Sequence, residues 1–302
     1  MILDFALFGA GILLLLAGAE LLVRAARAVA GALRTPEFLV GVLVVGAGTS
    51  LPELAVSVDA AIVGAGDVAV GNVIGSNLCN GALILGLAAF LRPLPLAQRL
   101  WRWQLPVLVL VSGAVAVFLR NSELARGEAA LLLTALTVYV VVTLRGSGTT
   151  LAGAETHEGG PTPPATRLAV TSAAGLGGLV VGAKWLVEGA TLIARDLGVS
   201  DAVIAISLVA VGTNLPELAT TLVAVRHRAS ELVAGSIIGS NLFNTMAVLG
   251  LSGLTVPLQT VDIRTWELAV FVAAPLAIGI PATRGHLGRS AGVGLVLGYG
   301  VV

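Results

Sequence analysis

The chain has 302 residues, of which 57% are hydrophobic and only 11% are charged, and its mean hydropathy is +0.99. Soluble globular domains carry about 25% charged residues, so this composition excludes an ordinary soluble domain and predicts a membrane protein. The formal net charge of zero provides no basic surface for nucleic acid, and the single cysteine excludes an intramolecular disulfide framework.

Ten apolar runs between charge clusters are candidates for membrane-spanning helices, which need about 20 apolar residues each. They cover 2–23, 38–63, 68–90, 104–119, 127–144, 168–194, 202–225, 231–254, 266–282 and 287–302. The first run lacks a basic flank before it, so we expect it to be a retained span rather than a cleaved signal. Uniform runs of this length exclude barrel strands, which alternate and are about half as long.

The distribution of arginine predicts the orientation of these spans. If the N-terminus lies outside the membrane, twelve arginines fall in inner loops and four fall in outer loops. Because short inner loops of membrane proteins are enriched in Lys and Arg, we expect both termini outside.

A polar, proline-containing stretch at 145–167 separates the first five spans from the last five. Its composition is typical of a flexible linker, which this orientation places in the cytoplasm. We therefore expect one repeat over 1–144 and a second over 168–302. Because each set has five spans, which is an odd number, the second set crosses the membrane in the opposite direction to the first. The predicted fold is all-α, with ten transmembrane helices in two inverted five-helix repeats, an arrangement typical of secondary transporters.

Two near-copies of one motif support the duplication. Gly-Thr-Ser-Leu-Pro-Glu-Leu at 48–54 is followed by Gly-Asn-Val-Ile-Gly-Ser-Asn-Leu-Cys-Asn at 71–80. Gly-Thr-Asn-Leu-Pro-Glu-Leu at 212–218 is followed by Gly-Ser-Ile-Ile-Gly-Ser-Asn-Leu-Phe-Asn at 235–244. Every matched pair is 164 residues apart, as 212 is from 48.

Each copy places one glutamate in the middle of an apolar span, Glu53 in the second and Glu217 in the seventh. A carboxylate at this depth costs several kcal/mol unless it is paired or faces water. No Lys or Arg lies at a matching depth, so a cation from solution is the simplest partner. The alternative is a protonated glutamate that is hydrogen-bonded in the core.

Other oxygen donors surround each glutamate in the sequence. Residues four apart share one helix face, and each repeat has two such polar pairs on successive helices. The pairs are Thr49 with Glu53, Ser76 with Asn80, Thr213 with Glu217, and Ser240 with Asn244. Hard cations such as Ca²⁺ take six to eight oxygen ligands, whereas zinc and copper prefer softer ligands, which do not cluster here.

Two prolines are expected to supply further oxygens. Pro52 and Pro216 have no N–H for the carbonyls of Gly48 and Gly212, so each should free a carbonyl at membrane depth. Irregular backbone at this depth is tolerated where it lines a cavity, although a plain proline kink is the alternative.

The remaining polar and small residues of the motifs have structural roles in this interpretation. We expect close helix packing at Gly71-x-x-x-Gly75 and Gly235-x-x-x-Gly239, and interhelical hydrogen bonds from Asn77 and Asn241. Glu20 and Arg24 are spaced to pair on one helix. The three histidines, His157, His227 and His286, lie in or beside predicted loops, where solvated side chains are expected rather than a metal site.

These motifs resemble the cation/Ca²⁺ antiporter superfamily and, within it, the sodium/calcium exchanger branch of prokaryotic type. The resemblance rests on the paired Leu-Pro-Glu and Gly-Ser-Asn-Leu strings and on the five-plus-five layout, which covers the whole chain. It implies four cation sites between helices 2, 3, 7 and 8, with helices 1 and 6 sliding as a gate.

The resemblance also implies a ligand set, residue by residue. The central Ca²⁺ site would use the carboxylates of Glu53 and Glu217 and the carbonyls of Thr49 and Thr213, and Asn80 and Asn244 would face it. One flanking Na⁺ site would use Glu53, Ser50, Ser76 and the carbonyl of Gly46. The other would use Glu217, Ser240, Thr213 and the carbonyl of Ala210.

Two positions depart from the family's motifs. Asn244 stands where some prokaryotic relatives and the potassium-dependent branch are acidic, which argues against potassium dependence. Asn214 replaces the serine found at the matching place in the first repeat, which changes the ligands of the second Na⁺ site.

The expected function is therefore Na⁺/Ca²⁺ antiport across the cell membrane, with no enzymatic activity and no cofactor. The expected partners are Ca²⁺ and Na⁺ as substrates and the lipid bilayer, with the chain acting as a monomer. Ca²⁺/H⁺ antiport through the same two glutamates is the main alternative. A cation channel is a further one. Asp67 completes a Gly-x-Gly-Asp string typical of intramembrane proteases, but no second aspartate lies in a partner motif.

Overall fold

Helices dominate the computed structural model, which describes residues 1–96, 100–147, 163–200, 204, 210–283 and 285–301. The helices are α1 (Ile2–Leu33), α2 (Glu37–Thr49), α3 (Leu51–Ile62), α4 (Gly66–Leu91), α5 (Leu105–Phe118), α6 (Arg126–Ser147), α7 (Ala165–Asp196), α8 (Leu215–Arg226), α9 (Ser230–Thr255), α10 (Thr265–Ala282) and α11 (Arg289–Tyr299). The strands are β1 (Leu94–Pro95), β2 (Glu123–Leu124), β3 (Leu258–Gln259) and β4 (His286–Leu287).

Several helices contain or adjoin turns of a different pitch. Wider π-helical turns occupy Gly41–Gly46 in α2, Cys79–Ile84 in α4, Leu100–Gln104 before α5, and Asn244–Val248 in α9. A 3₁₀ turn, Leu119–Asn121, follows α5, and a single helical turn, Ala210–Gly212, precedes α8. The sequence analysis predicted none of the π-helical turns.

The described helices match the predicted spans in position but differ in length. Six segments are long and apolar enough to cross a membrane: α1, α4, Arg102–Asn121, Arg126–Arg145, α7 and α9. Helices α2 and α3 together would form a seventh span, bent by 43°. The chain is thus a multi-pass membrane protein. Part of the predicted span 202–225 and most of the predicted linker 145–167 lie outside the described residues.

Helices α1 and α7 pack closely along a seam of glycines. A Cβ atom on Gly18 would lie 2.6 Å from the backbone nitrogen of Leu179, and one on Gly175 would lie 2.8 Å from that of Leu22. Residues of increasing number along α1 contact residues of decreasing number along α7, so the two helices run antiparallel. Only glycine lets the backbones approach this closely.

Helix α9 forms the centre of the fold. In its most apolar 18-residue window 94% of the residues are buried, against 22% for α7, so α9 lies inside the protein and α7 faces outward. Helix α2 runs parallel to α9, because Gly235 faces the backbone of Phe38 and Gly239 faces that of Val42. These contacts confirm the predicted packing role of the second glycine pair. For Gly71 and Gly75, no atom of the described residues would lie within 4 Å of an added Cβ.

Two short antiparallel ribbons connect the halves of the chain. Strand β1 pairs with β4, Leu94 opposite Leu287, and β2 pairs with β3, Leu124 opposite Leu258. Each ribbon joins a strand from before the 145–167 stretch to one from after it. The ribbons therefore hold the helix ends of the two halves together.

Candidate ion-binding site

The helix that carries Glu53 is broken immediately before it. Ser50 has φ −81° and ψ 6°, and α3 begins at the next residue, Leu51. The prediction that Thr49 and Glu53 share one continuous helix face was wrong, because the 43° bend puts them on separate helices. Pro52 lies in the first turn of α3, where its missing N–H is not needed by the helix. It starts a new helix rather than kinking a continuous one.

The second half of the chain has the same break. Thr213 and Asn214 form a turn between the single helical turn that Ala210 begins and the start of α8. Asn214 has φ −86° and ψ 0°, close to the values at Ser50, and Pro216 lies in the first turn of α8. Both glutamates therefore lie in the first turn of a helix, where the helix dipole favours a negative charge.

Both glutamates are buried without a cationic partner among the described residues. Glu53 is 0% exposed, and neither of its carboxylate oxygens has a hydrogen-bond partner there. Glu217 is 3% exposed, and its Oε2 atom is likewise unpartnered within those ranges. Burying an unpaired ion costs several kcal/mol, so this pair favours the binding of a cation or protons.

Two asparagines add uncharged oxygens to the same buried region. Asn80 lies in the π-helical turn of α4, and Asn244 begins that of α9. Both are 0% exposed, and neither side-chain oxygen nor nitrogen has a partner within the described ranges. π-Helical turns are frequent at functional sites, because the wider turn displaces a side chain from its ordinary direction.

A group of four oxygens, here called cluster A, joins α2 to α9. It comprises the Gly46 carbonyl, Thr49 Oγ1, Ser240 Oγ and Glu217 Oε1. Ser240 Oγ lies 3.1 Å from the Gly46 carbonyl, 3.2 Å from Thr49 Oγ1 and 3.5 Å from Glu217 Oε1. A Cβ on residue 46 would lie 2.6 Å from the backbone nitrogen of Ser240, so glycine is needed for this approach.

A second group, here called cluster B, includes the repeat partners of two residues of cluster A, because Ser76 matches Ser240 and Thr213 matches Thr49. It comprises Ser76 Oγ, Thr213 Oγ1 and the Asn214 side chain. The Asn214 Nδ2 atom donates to Ser76 Oγ at 3.4 Å and to Thr213 Oγ1 at 3.3 Å. Ser76 and Ser240 are 2% and 0% exposed, whereas Thr213 of cluster B is only half-buried.

The two clusters change the grouping that the sequence analysis took from the family. It placed Gly46 with Ser76, and Ser240 with Ala210. In the structure, the Gly46 carbonyl instead adjoins Ser240, because α2 packs beside α9. Each cluster therefore mixes residues from both halves of the chain, and Ser50, also 0% exposed and unpartnered in the described part, lies at the break beside Thr49.

Asn72 is a residue of the first motif to which the sequence analysis gave no role. Its Nδ2 atom donates to the backbone carbonyl of Glu53 at 3.2 Å and to Ser57 Oγ at 3.0 Å. It thereby fixes the first turn of α3 against α4. A polar residue at an interior position of a transmembrane helix was the only sequence signal for this role.

The predicted interhelical hydrogen bonds of Asn77 and Asn241 are present and reciprocal. Each side-chain amide donates to the other residue's backbone carbonyl at 3.2 Å, and Asn77 also donates to Thr245 Oγ1 at 2.8 Å. This pair joins α4 to α9 beside Asn80 and Asn244.

One contact between α1 and the end of α8 contradicts the expectation of a solvated histidine. His227 Nε2 lies 2.7 Å from Glu20 Oε1, which also accepts from Arg24 at 2.6 Å. The Arg24 bond confirms the predicted pair on α1. His227 thus links α1 to the helix that carries Glu217.

The arrangement is suited to hard cations. It offers two carboxylates, two neutral amides and a set of hydroxyls. The described residues contain no group of three or more His, Cys, Asp or Glu side chains that could together hold a metal ion. A formal charge of −2 is neutralised by one divalent or two monovalent cations. Oxygen-rich surroundings favour Ca²⁺ or Na⁺ over softer metals.

Comparisons with known proteins agree with this chemistry. The family model described as "Sodium/calcium exchanger protein" matches residues 3–145 and 167–302. The inner membrane protein YrbG of Escherichia coli is 33% identical, over 99% of this chain and 95% of its own length. The sodium/calcium exchanger MaX1 of Methanosarcina acetivorans is 31% identical, over 92% and 89%. A solved structure of the sodium-calcium exchanger NCX_Mj superposes with a TM-score of 0.88 at 30% identity, covering 100% of this chain and 97% of that one.

Proposed function

The chain belongs to the sodium/calcium exchanger protein family, and we propose that it exchanges Na⁺ for Ca²⁺ across the membrane by alternating access. The observation that carries the proposal is the pair of buried, uncompensated carboxylates, Glu53 and Glu217, at matching helix breaks. Two such groups need positive charge from solution.

We assign the ligands as follows. Ca²⁺ binds between Glu53 and Glu217, with the carbonyls of Thr49 and Thr213 and the amides of Asn80 and Asn244 completing the shell. Na⁺ uses the same carboxylates, with hydroxyl and carbonyl oxygens of the flanking clusters. The complete set is Glu53, Glu217, Thr49, Thr213, Ser50, Asn214, Ser76, Ser240, Asn80, Asn244, Gly46 and Ala210.

Sharing the carboxylates makes the two ions compete, which is the basis of exchange. One Ca²⁺ neutralises the charge of −2, and Na⁺ neutralises it in turn. An empty site would carry two unpaired charges through a low-dielectric barrier, at a cost of several kcal/mol per ion. The conformational change is therefore rapid only when the site is loaded.

The proposed topology has ten transmembrane helices in two inverted repeats, 1–144 and 168–302, with both termini outside and a cytoplasmic linker at 145–167. The matching breaks at Ser50 and Asn214 and the antiparallel contact of α1 with α7 support it. We place the protein in the cell membrane. We propose a monomer, because one chain supplies every assigned ligand.

Reconstituted vesicles test the function directly. The purified protein is placed in vesicles loaded with Na⁺, the vesicles are diluted into Na⁺-free buffer, and uptake of ⁴⁵Ca²⁺ is measured. Uptake should follow the Na⁺ gradient and stop when the gradient is dissipated. Equal uptake driven by a pH gradient alone would refute Na⁺ coupling and favour Ca²⁺/H⁺ antiport.

Variants of the carboxylates test the site. Glu53→Gln and Glu217→Gln each halve the site's formal charge, so each should abolish Na⁺-driven Ca²⁺ uptake. The matched control is Glu188→Gln, which changes an exposed glutamate of α7 and should leave uptake unchanged. Retained uptake in both site variants would refute the ligand assignment.

A further inference from the structure

A small cavity lies between helices α4, α5, α9 and α10, and neither glutamate of the candidate ion-binding site lines it. The residues that line it include Asn77 of α4, Ser112 of α5, Asn241 of α9, and Phe271 and Pro275 of α10. It offers about 10 Å³ to the centre of a water-sized sphere, which is enough for one water molecule and too little for a larger ligand. The cavity is therefore a candidate site for one small species.

The asparagine pair at this cavity leaves two acceptor atoms without a donor. The Nδ2 atoms of Asn77 and Asn241 donate across the pair, and Asn77 also donates to Thr245 Oγ1. Thr245 Oγ1 in turn donates to the Asn241 backbone carbonyl at 2.7 Å. The Oδ1 atoms of both asparagines are buried, and neither has a hydrogen-bond partner in the described part of the chain. Because an amide oxygen only accepts, each of them needs a donor.

Helices α5 and α10 bring a donor and a further acceptor to the same cavity. Ser112 is 0% exposed, and its hydroxyl has no partner among the described residues. Pro275 lies inside α10 and has no N–H to donate to the carbonyl of Phe271, one turn earlier. Buried polar groups without partners destabilise a fold, so their convergence on one cavity indicates a ligand that satisfies them.

We propose that this cavity is a binding site for one structural water molecule, which joins α5 to the paired asparagines of α4 and α9. The water accepts a hydrogen bond from the Ser112 hydroxyl and donates to Asn77 Oδ1 and to Asn241 Oδ1. Three hydrogen bonds are the usual number for a buried water molecule. The assignment does not depend on which ions the protein transports.

Charge distinguishes water from a sodium ion, which is similarly small and also binds to oxygen. None of the described residues that line the cavity is acidic. A cation there would be a buried charge without compensation, which is strongly unfavourable. It would also leave the hydrogen of the Ser112 hydroxyl without an acceptor, whereas a water molecule accepts it.

The bridge has a structural consequence for the candidate ion-binding site. Asn80 and Asn244 each lie three residues after an asparagine of the pair, on α4 and α9 respectively. A water molecule that links Ser112 to the pair therefore holds α5 against the two helices that carry these amides.

A high-resolution crystal structure of the full chain tests the site directly. We expect one density peak in the cavity, within hydrogen-bond distance of Ser112 Oγ and of both Oδ1 atoms. Crystals soaked in Tl⁺, a monovalent cation that scatters anomalously, distinguish water from Na⁺. An anomalous peak in the cavity would overturn the proposal in favour of a cation, and the absence of any density peak there would overturn it as well.

Two serine variants test the same site through stability in detergent micelles. Ser112→Ala removes the hydroxyl that donates to the water, so the folding equilibrium constant should fall about two- to tenfold, the equivalent of one net hydrogen bond. The matched control is Ser252→Ala in α9. Ser252 is also 0% exposed and its hydroxyl is likewise unpartnered within the described ranges, but it does not line the cavity.

The control variant should leave the folding equilibrium constant unchanged or raise it, because it removes a buried hydroxyl that has no partner. Equal effects of Ser112→Ala and Ser252→Ala would overturn the proposal, since Ser112 would then be a buried hydroxyl without a ligand. Both readouts are independent of transport, so they leave the proposed Na⁺/Ca²⁺ exchange to its own test.

Discussion

The glycine seam between α1 and α7 predicts a large and position-specific cost for adding one methyl group. In Gly18→Ala, the new Cβ would lie 2.6 Å from the Leu179 nitrogen and 2.8 Å from the Gly175 carbonyl oxygen. These are backbone atoms, so no side chain can rotate away. To reach the 3.4 Å of ordinary contact, α1 and α7 must separate by about 0.8 Å at this point.

The size of the expected stability loss follows from a comparison with a matched control substitution on the same helix. At Gly9 an added Cβ would meet no described atom within 4 Å. Both substitutions gain about 0.5–1 kcal/mol of helix stability, so this gain cancels between them. The difference that remains is the overpacking cost, about 1–3 kcal/mol.

The assay is the free energy of unfolding in detergent micelles titrated with sodium dodecyl sulfate. Gly18→Ala should be less stable than Gly9→Ala by this 1–3 kcal/mol. Equal stability of the two variants would refute the reasoning, because it would show that α1 and α7 are not in backbone contact at Gly18.

Three further predictions concern polar contacts. Asn241→Leu should destabilise the protein by about 1–3 kcal/mol in the same unfolding assay, because it leaves the buried Asn77 pair incomplete. The double variant with Asn77→Leu should cost less than the sum of the single changes, and strict additivity would contradict the pairing. Asn72→Ala should weaken the apparent Ca²⁺ affinity about tenfold, since two hydrogen bonds of about 0.5–1.5 kcal/mol each hold the first turn of α3. Its control, Ser236→Ala at the matching position, removes only a bond within its own helix and should leave Ca²⁺ affinity unchanged. A double-mutant cycle on Glu20 and His227, whose side chains are 27% and 28% exposed, should give a coupling of about 0.2–1 kcal/mol that falls at high salt. A coupling that is zero at low salt would mean that the two side chains do not interact in solution.

The sequence predicted those features that depend on local residue type. Apolar runs located most of the described helices to within about three residues, although α1 extends ten residues beyond its predicted end at 23, and two glutamates in apolar surroundings indicated a buried charged region. The small residues Gly235 and Gly239 and the amides of Asn77 and Asn241 were also assigned correct roles. In each case, hydrocarbon surroundings leave a polar or small side chain with few alternatives.

Features that depend on the packing of segments distant in the chain could not be predicted from the sequence. Thr49 and Glu53 have the spacing of one helix face, and only the break at Ser50 separates them. The Gly46 carbonyl adjoins Ser240, 194 residues away, because α2 runs beside α9. A π-helical turn such as that of Asn244 has no residue signature of its own, since neighbouring helices decide whether the extra residue is accommodated.

The near-symmetry of the two halves has a consequence for selectivity. The shared residues, above all Glu53 and Glu217, create the same negative charge whichever side of the membrane the site faces. In the proposed mechanism they determine that a hard cation binds, but they cannot distinguish between the two flanking clusters. That distinction falls on the residues at which the halves differ inside the site, and Ser50 against Asn214 is the pair that replaces a hydroxyl with an amide. In this interpretation, the ability to exchange depends on the carboxylates, and any difference between the two flanking clusters depends on residues such as Ser50 and Asn214.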